Sequence, residues 1–315
     1  MGRIFAGEPL SVSSGYALMD DGWMRAKVFR DYDQAELDRQ YDQRAWAANA
    51  IALINGYSID SEIVRERLGE PEVHAYGEGR AETLDLFRTQ RPNAPIHVFV
   101  HGGAWRTLGK RDSAFAAEHL VRSGAHFAAL DFALLPYVSL DEMVWQVKSA
   151  IAWLYRNAAA LGADPERIFV SGHSSGAHLA AAAITGDWKA EFDLPFETVK
   201  GAVCCSGIYD LEPVRRSRRN RYVQLDERQV EALSPIRHVG HLACPVVIAC
   251  GEHESDEFKR QARDFAAAIE RHRVPVALEL VEGPGLNHFE IINTLGAPTG
   301  LLGQLALRQM GLTIG

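Results

Sequence analysis

Residues 167–184 constrain this chain more tightly than any other stretch. Arg167-Ile168-Phe169-Val170-Ser171 is a β-branched and aromatic run with the marks of a strand. Ala177-His178-Leu179-Ala180-Ala181-Ala182-Ala183-Ile184 is a strong helix former. Only Gly172-His173-Ser174-Ser175-Gly176 separates the two. A strand that becomes a helix within five residues needs small residues around the turn, and the two glycines supply them. A serine at such a turn is presented at the end of the sheet, and the helix beneath it aims free N–H groups and the positive end of its dipole at the same place. The pattern G-x-S-x-G in this setting therefore predicts a nucleophilic Ser174, with the Ser175 N–H available to a developing negative charge.

The same alternation extends along most of the chain. Strands are expected at 83–88, 96–100, 125–131, 167–171, 201–205, 246–250 and 276–281. Helices are expected at 112–123, 139–161, 174–185 and 256–273, with a C-terminal pair near 288–310. Ile96-His97-Val98-Phe99-Val100 and Val246-Val247-Ile248-Ala249-Cys250 are continuous apolar runs, which suit strands buried on both faces of a mostly parallel sheet. Ser139 with Glu142 three residues later reads as a capping box. Nearer the start, 33–54 reads as one or two helices and 60–68 as another short one. The expected fold class is α/β, a mostly parallel central sheet flanked by helices. The chain of 315 residues is long enough for two domains. The chemistry-bearing motifs nonetheless spread from 101 to 288, so one sheet must gather them. We therefore expect one domain over 1–315: an N-terminal arm and helices over 1–70 and a catalytic core over 71–315, with a polar, cap-like insertion at 206–240.

Composition removes other classes. Lys and Arg number 33 against 41 Asp and Glu, a net charge of −8, so nucleic acid is not an expected partner. No run approaches the roughly 20 apolar residues of a membrane span. Glu8 and Pro9 interrupt any signal-peptide apolar region. The four cysteines, Cys204, Cys205, Cys244 and Cys250, have no C-x-x-C spacing, and a reducing cytoplasm is the simplest setting. His253-Glu254 does not continue to H-E-x-x-H, no phosphate-binding glycine loop occurs, and neither a metal nor a cofactor is expected.

A nucleophilic serine needs oxyanion donors, a base and a residue that orients the base. The run 96–100 leads into His101-Gly102-Gly103-Ala104-Trp105, and paired glycines after a strand let backbone N–H groups approach an oxyanion. Gly102, Gly103 and Ser175 are the expected donors. His288 follows the last strand and is the expected base; His238, His241, His253 and His272 sit less well. The acid comes from the loop Gly251-Glu252-His253-Glu254-Ser255-Asp256-Glu257. Here Glu254 and Asp256 compete, Asp256 also being a natural N-cap for the next helix. Trp105, Phe132, Tyr137 and Tyr209 are candidate aromatics for a substrate pocket. Arg215, Arg216, Arg218, Arg219 and Arg221 form a cluster in the insertion; such clusters are commonly solvated, but one member could bind a substrate carboxylate.

Assembled, these residues resemble the kynurenine formamidase (arylformamidase) branch of the α/β-hydrolases. The resemblance runs from about residue 37 to 295. It rests on Leu37-Asp38-Arg39-Gln40-Tyr41, Leu84-Asp85-Leu86-Phe87, His101-Gly102-Gly103-Ala104-Trp105, Gly172 to Leu179, Ser206 to Pro213, Glu254 to Phe258, and His288-Phe289-Glu290-Ile291. It implies an α/β-hydrolase fold, a Ser174-His288-Glu254 triad, and an aromatic amide or ester as the small-molecule partner, N-formylkynurenine or an N-acyl anthranilate among the amides. A homodimer is the assembly considered.

Overall fold

The computed structural model describes residues 26–313. The first 25 residues of the N-terminal arm expected within 1–70 thus lie outside the described residues. Eight strands form one sheet: β1 Glu72–Ala75, β2 Thr83–Phe87, β3 Ala94–Val100, β4 His126–Leu130, β5 Ala163–His173, β6 Gly201–Cys205, β7 Val246–Gly251 and β8 Leu278–Gly283. Their order is β1-β2-β4-β3-β5-β6-β7-β8. The pairs β1/β2 and β2/β4 are antiparallel and the rest are parallel.

The helices are α1 Gln34–Gln40, α2 Ala50–Leu68, α3 Ala117–Arg122, α4 Leu140–Asn157, α5 Ser175–Ile184, α6 Trp188–Phe192, α7 Glu212–Arg216, α8 Asn220–Val223, α9 Glu227–Leu233, α10 Asp256–Arg271 and α11 Leu301–Met310. They cover both faces of the sheet, which is why β3 reads as an unbroken apolar run. Ile96, Val98 and Val100 enter one core with Ile151 and Leu154 of α4. Phe99 faces the other core with Leu120 of α3 and Leu305 of α11. The parallel strands β3, β5, β6 and β7 all end at the same edge, where functional groups of α/β sheets gather.

Several expectations need correction. The segments read as 33–54 and 60–68 contain α1, a short 3₁₀ turn Gln43–Trp46, and a single long α2 that carries through Gly56. A Cβ at Gly56 would meet nothing within 4 Å, so this glycine weakens the local propensity without a packing reason to break the helix. The helix expected at 112–123 is two 3₁₀ turns, Lys110–Asp112 and Ala114–Ala116, followed by the short α3. Strand β1 was not expected; it is four residues long and mostly exposed, so it leaves no apolar alternation to read. Helix α6, capped by the Asp187 side chain on the Ala190 N–H, was not expected either. The N-cap of α10 is Ser255, whose hydroxyl accepts from the Phe258 N–H, and Asp256 is the first helical residue.

The 206–240 segment carries α7, α8 and α9 and two 3₁₀ turns. Val214, Val223, Val230 and Leu233 turn its apolar side into the main core, so this polar stretch is anchored as a cap.

Three buried imidazoles are held neutral by burial. His97 in β3 is pushed down to about 3, and His101 and His178 to about 4, against 6.5 for an exposed histidine. His97 Nε2 meets Ser171 Oγ at 2.7 Å, and His178 Nε2 donates to the Leu233 carbonyl at 2.9 Å. Because the folded values lie below the unfolded one, the unfolded chain takes up protons first. Stability should be full above about pH 6.5 and fall as the pH drops toward 4. Urea unfolding at pH 7 and pH 5 should show a loss on the order of 2 kcal/mol per imidazole. Equal stability at the two pH values would mean that these groups titrate alike in both states.

Candidate active site

Ser174 stands at the junction of β5 and α5 with φ 55° and ψ −120°, a left-handed conformation that an L residue holds only when its surroundings force it. The forcing contacts are close. A Cβ at Gly172 would come within 2.3 Å of the Gly176 carbonyl oxygen, and a Cβ at Gly176 within 2.2 Å of the Val100 and 2.3 Å of the His101 carbonyl oxygens. The Ser174 N–H donates to Cys205 O at 2.9 Å, which ties the turn to β6.

The loop after β3 is built around the same turn. A Cβ at Gly102 would stand 2.9 Å from the His173 carbonyl oxygen and 3.3 Å from Ser174 Cβ. Gly103 has φ +99°, and a Cβ there would overlap the Thr107 carbonyl oxygen at 2.1 Å. The Trp105 backbone N–H donates to Ser175 Oγ at 3.1 Å, so Ser175, expected only to offer its backbone N–H, also fastens the glycine loop to the elbow through its side chain. Its signal in the sequence is slight: a second hydroxyl at a position where any small residue would fit. Among the described residues, the Gly102, Gly103 and Ser175 N–H groups donate to no carbonyl outside the regular elements.

His288 and Glu254 meet across the ends of β7 and β8. His288 Nδ1 donates to Glu254 Oε2 at 3.2 Å. The other carboxylate oxygen, Oε1, accepts from Ser206 Oγ at 2.5 Å and from the Gly251 N–H at 2.7 Å. With Nδ1 committed as a donor, a neutral His288 carries its lone pair on Nε2, the atom a general base uses. The ring is packed by Phe258 and Phe289 at 5.0 Å each and by His173 at 4.7 Å. His173 also donates from Nε2 to the His288 carbonyl at 2.8 Å. Burial, with the neighbouring His288, drives His173 well below its ordinary value and keeps it neutral for that bond. Ser174, His288 and Glu254 are all buried, at 6, 3 and 2% exposure. Asp256, the competing acid, is exposed and lies 3.8 Å from Lys259.

Ser174, His173, His288 and Gly103 share a cavity of about 770 Å³. Its walls come from α1 and the turn after it (Asp38, Tyr41, Asp42, Gln43), from α2 (Ile54, Tyr57), from Phe289, and from the cap (Arg218, Arg219, Arg221, Tyr222). The aromatics expected to line it do not. Trp105 is core, edge-on to His178 at 5.5 Å. Phe132 stacks on His101 at 4.3 Å. Tyr209 stacks on Phe265 at 4.3 Å and donates its hydroxyl to Cys204 O at 3.2 Å. Tyr137 is 89% exposed. Trp105, Phe132 and Tyr209 are buried in the layer that supports the site, and Tyr137 lies on the surface. Tyr41, Tyr57, Tyr222 and Phe289 line the cavity instead. Among the described residues, no three His, Cys, Asp or Glu side chains cluster as a metal site, and no helix is long and apolar enough to cross a membrane.

The BD-FAE family model matches residues 84–269. Kynurenine formamidase of Salmo salar is 31% identical over 301 residues, covering 90% of this chain and 98% of that protein. Esterase LipQ of Mycobacterium tuberculosis is 31% identical over 263 residues, covering 74% of this chain and 62% of its own. A crystal structure from Silicibacter sp. TM1040 superposes with a TM-score of 0.76 at 26% identity, covering 86% of this chain and 98% of that one.

The Glu254 anchor is open to test. Ser206→Ala removes one of the two donors to Oε1 and leaves the Gly251 N–H. A lost hydrogen bond to a charged group corresponds to roughly 10- to 100-fold. A drop of that size in kcat for p-nitrophenyl acetate, with KM nearly kept, is expected from steady-state kinetics. Unchanged kcat would show that the second donor alone positions the carboxylate.

Proposed function

We propose a function from one premise: this chain belongs to the BD-FAE family, in the arylformamidase-like branch of the α/β-hydrolases. It is a hydrolase of amide or ester bonds. Our reading is that Ser174 attacks a carbonyl carbon while His288 Nε2 takes the hydroxyl proton. Glu254 keeps His288 in the tautomer this needs and stabilises its cation. The N–H groups of Gly102, Gly103 and Ser175 receive the oxyanion of the tetrahedral intermediate. His288 then gives its proton to the departing nitrogen or oxygen, leaving an acyl group on Ser174. A water, deprotonated by the same imidazole, releases the acid and restores the serine.

For the substrate we favour an aryl amide, N-formylkynurenine or an N-acyl anthranilate. One observation carries this choice. The likeness to kynurenine formamidase spans nine-tenths of this chain, including α1 and α2, which build the cavity walls. An anilide nitrogen leaves more readily than an alkyl amine, within reach of a serine triad. The cavity volume also lies in the range of small-molecule sites. A second reading, a carboxylesterase for short-acyl or aryl esters, draws on the likeness to Esterase LipQ. The four free, buried cysteines support a reducing, cytoplasmic setting.

Hydrolysis of N-formylkynurenine, N-acetylanthranilate and p-nitrophenyl acetate by wild type and Ser174→Ala decides between the readings. The wild type should cleave at least one amide, and Ser174→Ala should lose on the order of 10⁴-fold or more in kcat. Turnover of the ester alone replaces the first reading with the second. Activity that survives in Ser174→Ala removes the mechanism.

A further inference from the structure

The arginines of the cap fall into two groups. Arg215 and Arg216 both bind Glu212, and Arg218 binds Asp42 while its N–H donates to Asp38. Arg215 and Arg216 brace α7, and Arg218 fastens the cap to α1 and the turn after it. Arg219 and Arg221 stand on the wall of the cavity that holds Ser174 and His288. Neither has a carboxylate partner among the described residues.

Arg219 is held in place but its hydrogen-bonding capacity is not filled. Its Nη2 donates to the Tyr41 carbonyl, and its guanidinium lies over the Tyr41 ring, 5.4 Å from the centroid. Its Nη1 is shielded from solvent and has no hydrogen-bond partner. An unmet buried donor on a cation is costly, and a shift of the guanidinium that brings Nη1 to the cavity beside an entering acceptor would relieve that cost. The acidic side chains on the wall are already engaged: Asp42 by Arg44 and Arg218, and Asp38 by the Arg218 N–H and the Gln34 amide. The protein carries a net charge of −8, yet this wall presents cations with no counter-charge of their own.

We propose that Arg219, assisted by Arg221, binds a carboxylate on the substrate, so that the favoured substrate is an aryl compound bearing an acidic group. A planar guanidinium fork matches a planar carboxylate and discriminates against its neutral analogue. The proposal rests on the reading of Ser174 and its cavity as the active site.

Calorimetric titration with anthranilate and with aniline tests it without requiring turnover. The wild type should bind anthranilate at least tenfold more tightly than aniline, as expected for a charge-assisted pair. Arg219→Gln keeps an amide that can donate to the Tyr41 carbonyl but removes the charge, and it should shrink that ratio about tenfold. Arg221→Ala should shrink it less, and Arg216→Ala should leave it unchanged. Equal wild-type affinity for the two ligands, or a ratio unmoved in Arg219→Gln, overturns the proposal. Should circular dichroism show Arg219→Gln unfolded, Arg219→Lys keeps the charge and loses the fork. An intermediate ratio is then expected, and an unchanged one overturns the proposal. Turnover of N-acetylanthranilate and acetanilide runs alongside. If neither amide is cleaved while the affinity ratio follows Arg219, the amidase reading fails and the carboxylate subsite stands. If amides are cleaved and the ratio ignores Arg219, only the subsite fails.

Discussion

At Gly176 the first turn of α5 lies against the carbonyl oxygens of Val100 and His101, so near that a Cβ would come within 2.2 and 2.3 Å of them. That approach brings the end of β3 and the start of α5 together in one place. Ser174 is driven into its left-handed conformation by the same crowding, since the chain must reverse between β5 and a helix that has no room to sit lower. Gly102 and Gly103 then reach the serine because the strand that carries them ends against the helix that starts beneath it. The Trp105 N–H on Ser175 Oγ closes the arrangement. The strain at Ser174 is local, and the parallel register of β3, β5 and β6 holds it.

Glu254 is positioned by a different device. Glu254 lies between Gly251, which donates to it, and Ser255, which caps α10. Gln43 donates from Nε2 to Ser255 Oγ at 2.7 Å and accepts from the Ser255 N–H at 3.3 Å. Gln40 accepts from the Glu257 N–H at 2.9 Å, and Tyr41 donates its hydroxyl to Glu257 Oε1 at 3.0 Å. The segment around α1 therefore straps the acid loop from one side and, through Asp38 and Asp42, the cap from the other. Two parts of the chain more than 170 residues from it in sequence are held by one short helix and the turn that follows it.

Much of this could be read from the sequence because tight turns require particular residues. Gly172, Gly176, Gly102 and Gly103 mark positions where a Cβ would collide with backbone, so the motifs they form point directly to geometry. The buried strands were legible because both faces of the sheet are covered, which leaves continuous apolar runs. The pocket walls were not legible. Trp105, Phe132 and Tyr209 are large, aromatic and adjacent to site motifs, yet adjacency in sequence to a strand end places a side chain in the layer under the site as readily as over it. Tyr41 and Tyr57 reach the cavity through α1 and α2, whose placement depends on long-range contacts such as Tyr57 Oη donating to Phe289 O at 2.8 Å. The division of the arginines was equally hidden, since it is set by Glu212, Asp38 and Asp42 meeting some of them and not others.

The floor and the walls of the cavity come from different parts of the chain. The stretch matched by the BD-FAE family, 84–269, carries Gly102, Gly103, Ser174 and Glu254. It includes the cap but omits α1 and α2, and it ends before His288. The family match therefore takes in most of the residues gathered at Ser174 and only part of the walls around them. The walls contributed by Tyr41, Gln43, Ile54 and Tyr57 stand outside it. A likeness that extends over α1 and α2 takes in these walls as well as the stretch that carries Ser174, whereas a shorter one can take in that stretch alone. That difference in extent, at equal identities of 31%, distinguishes the two likenesses on which the two proposed readings draw.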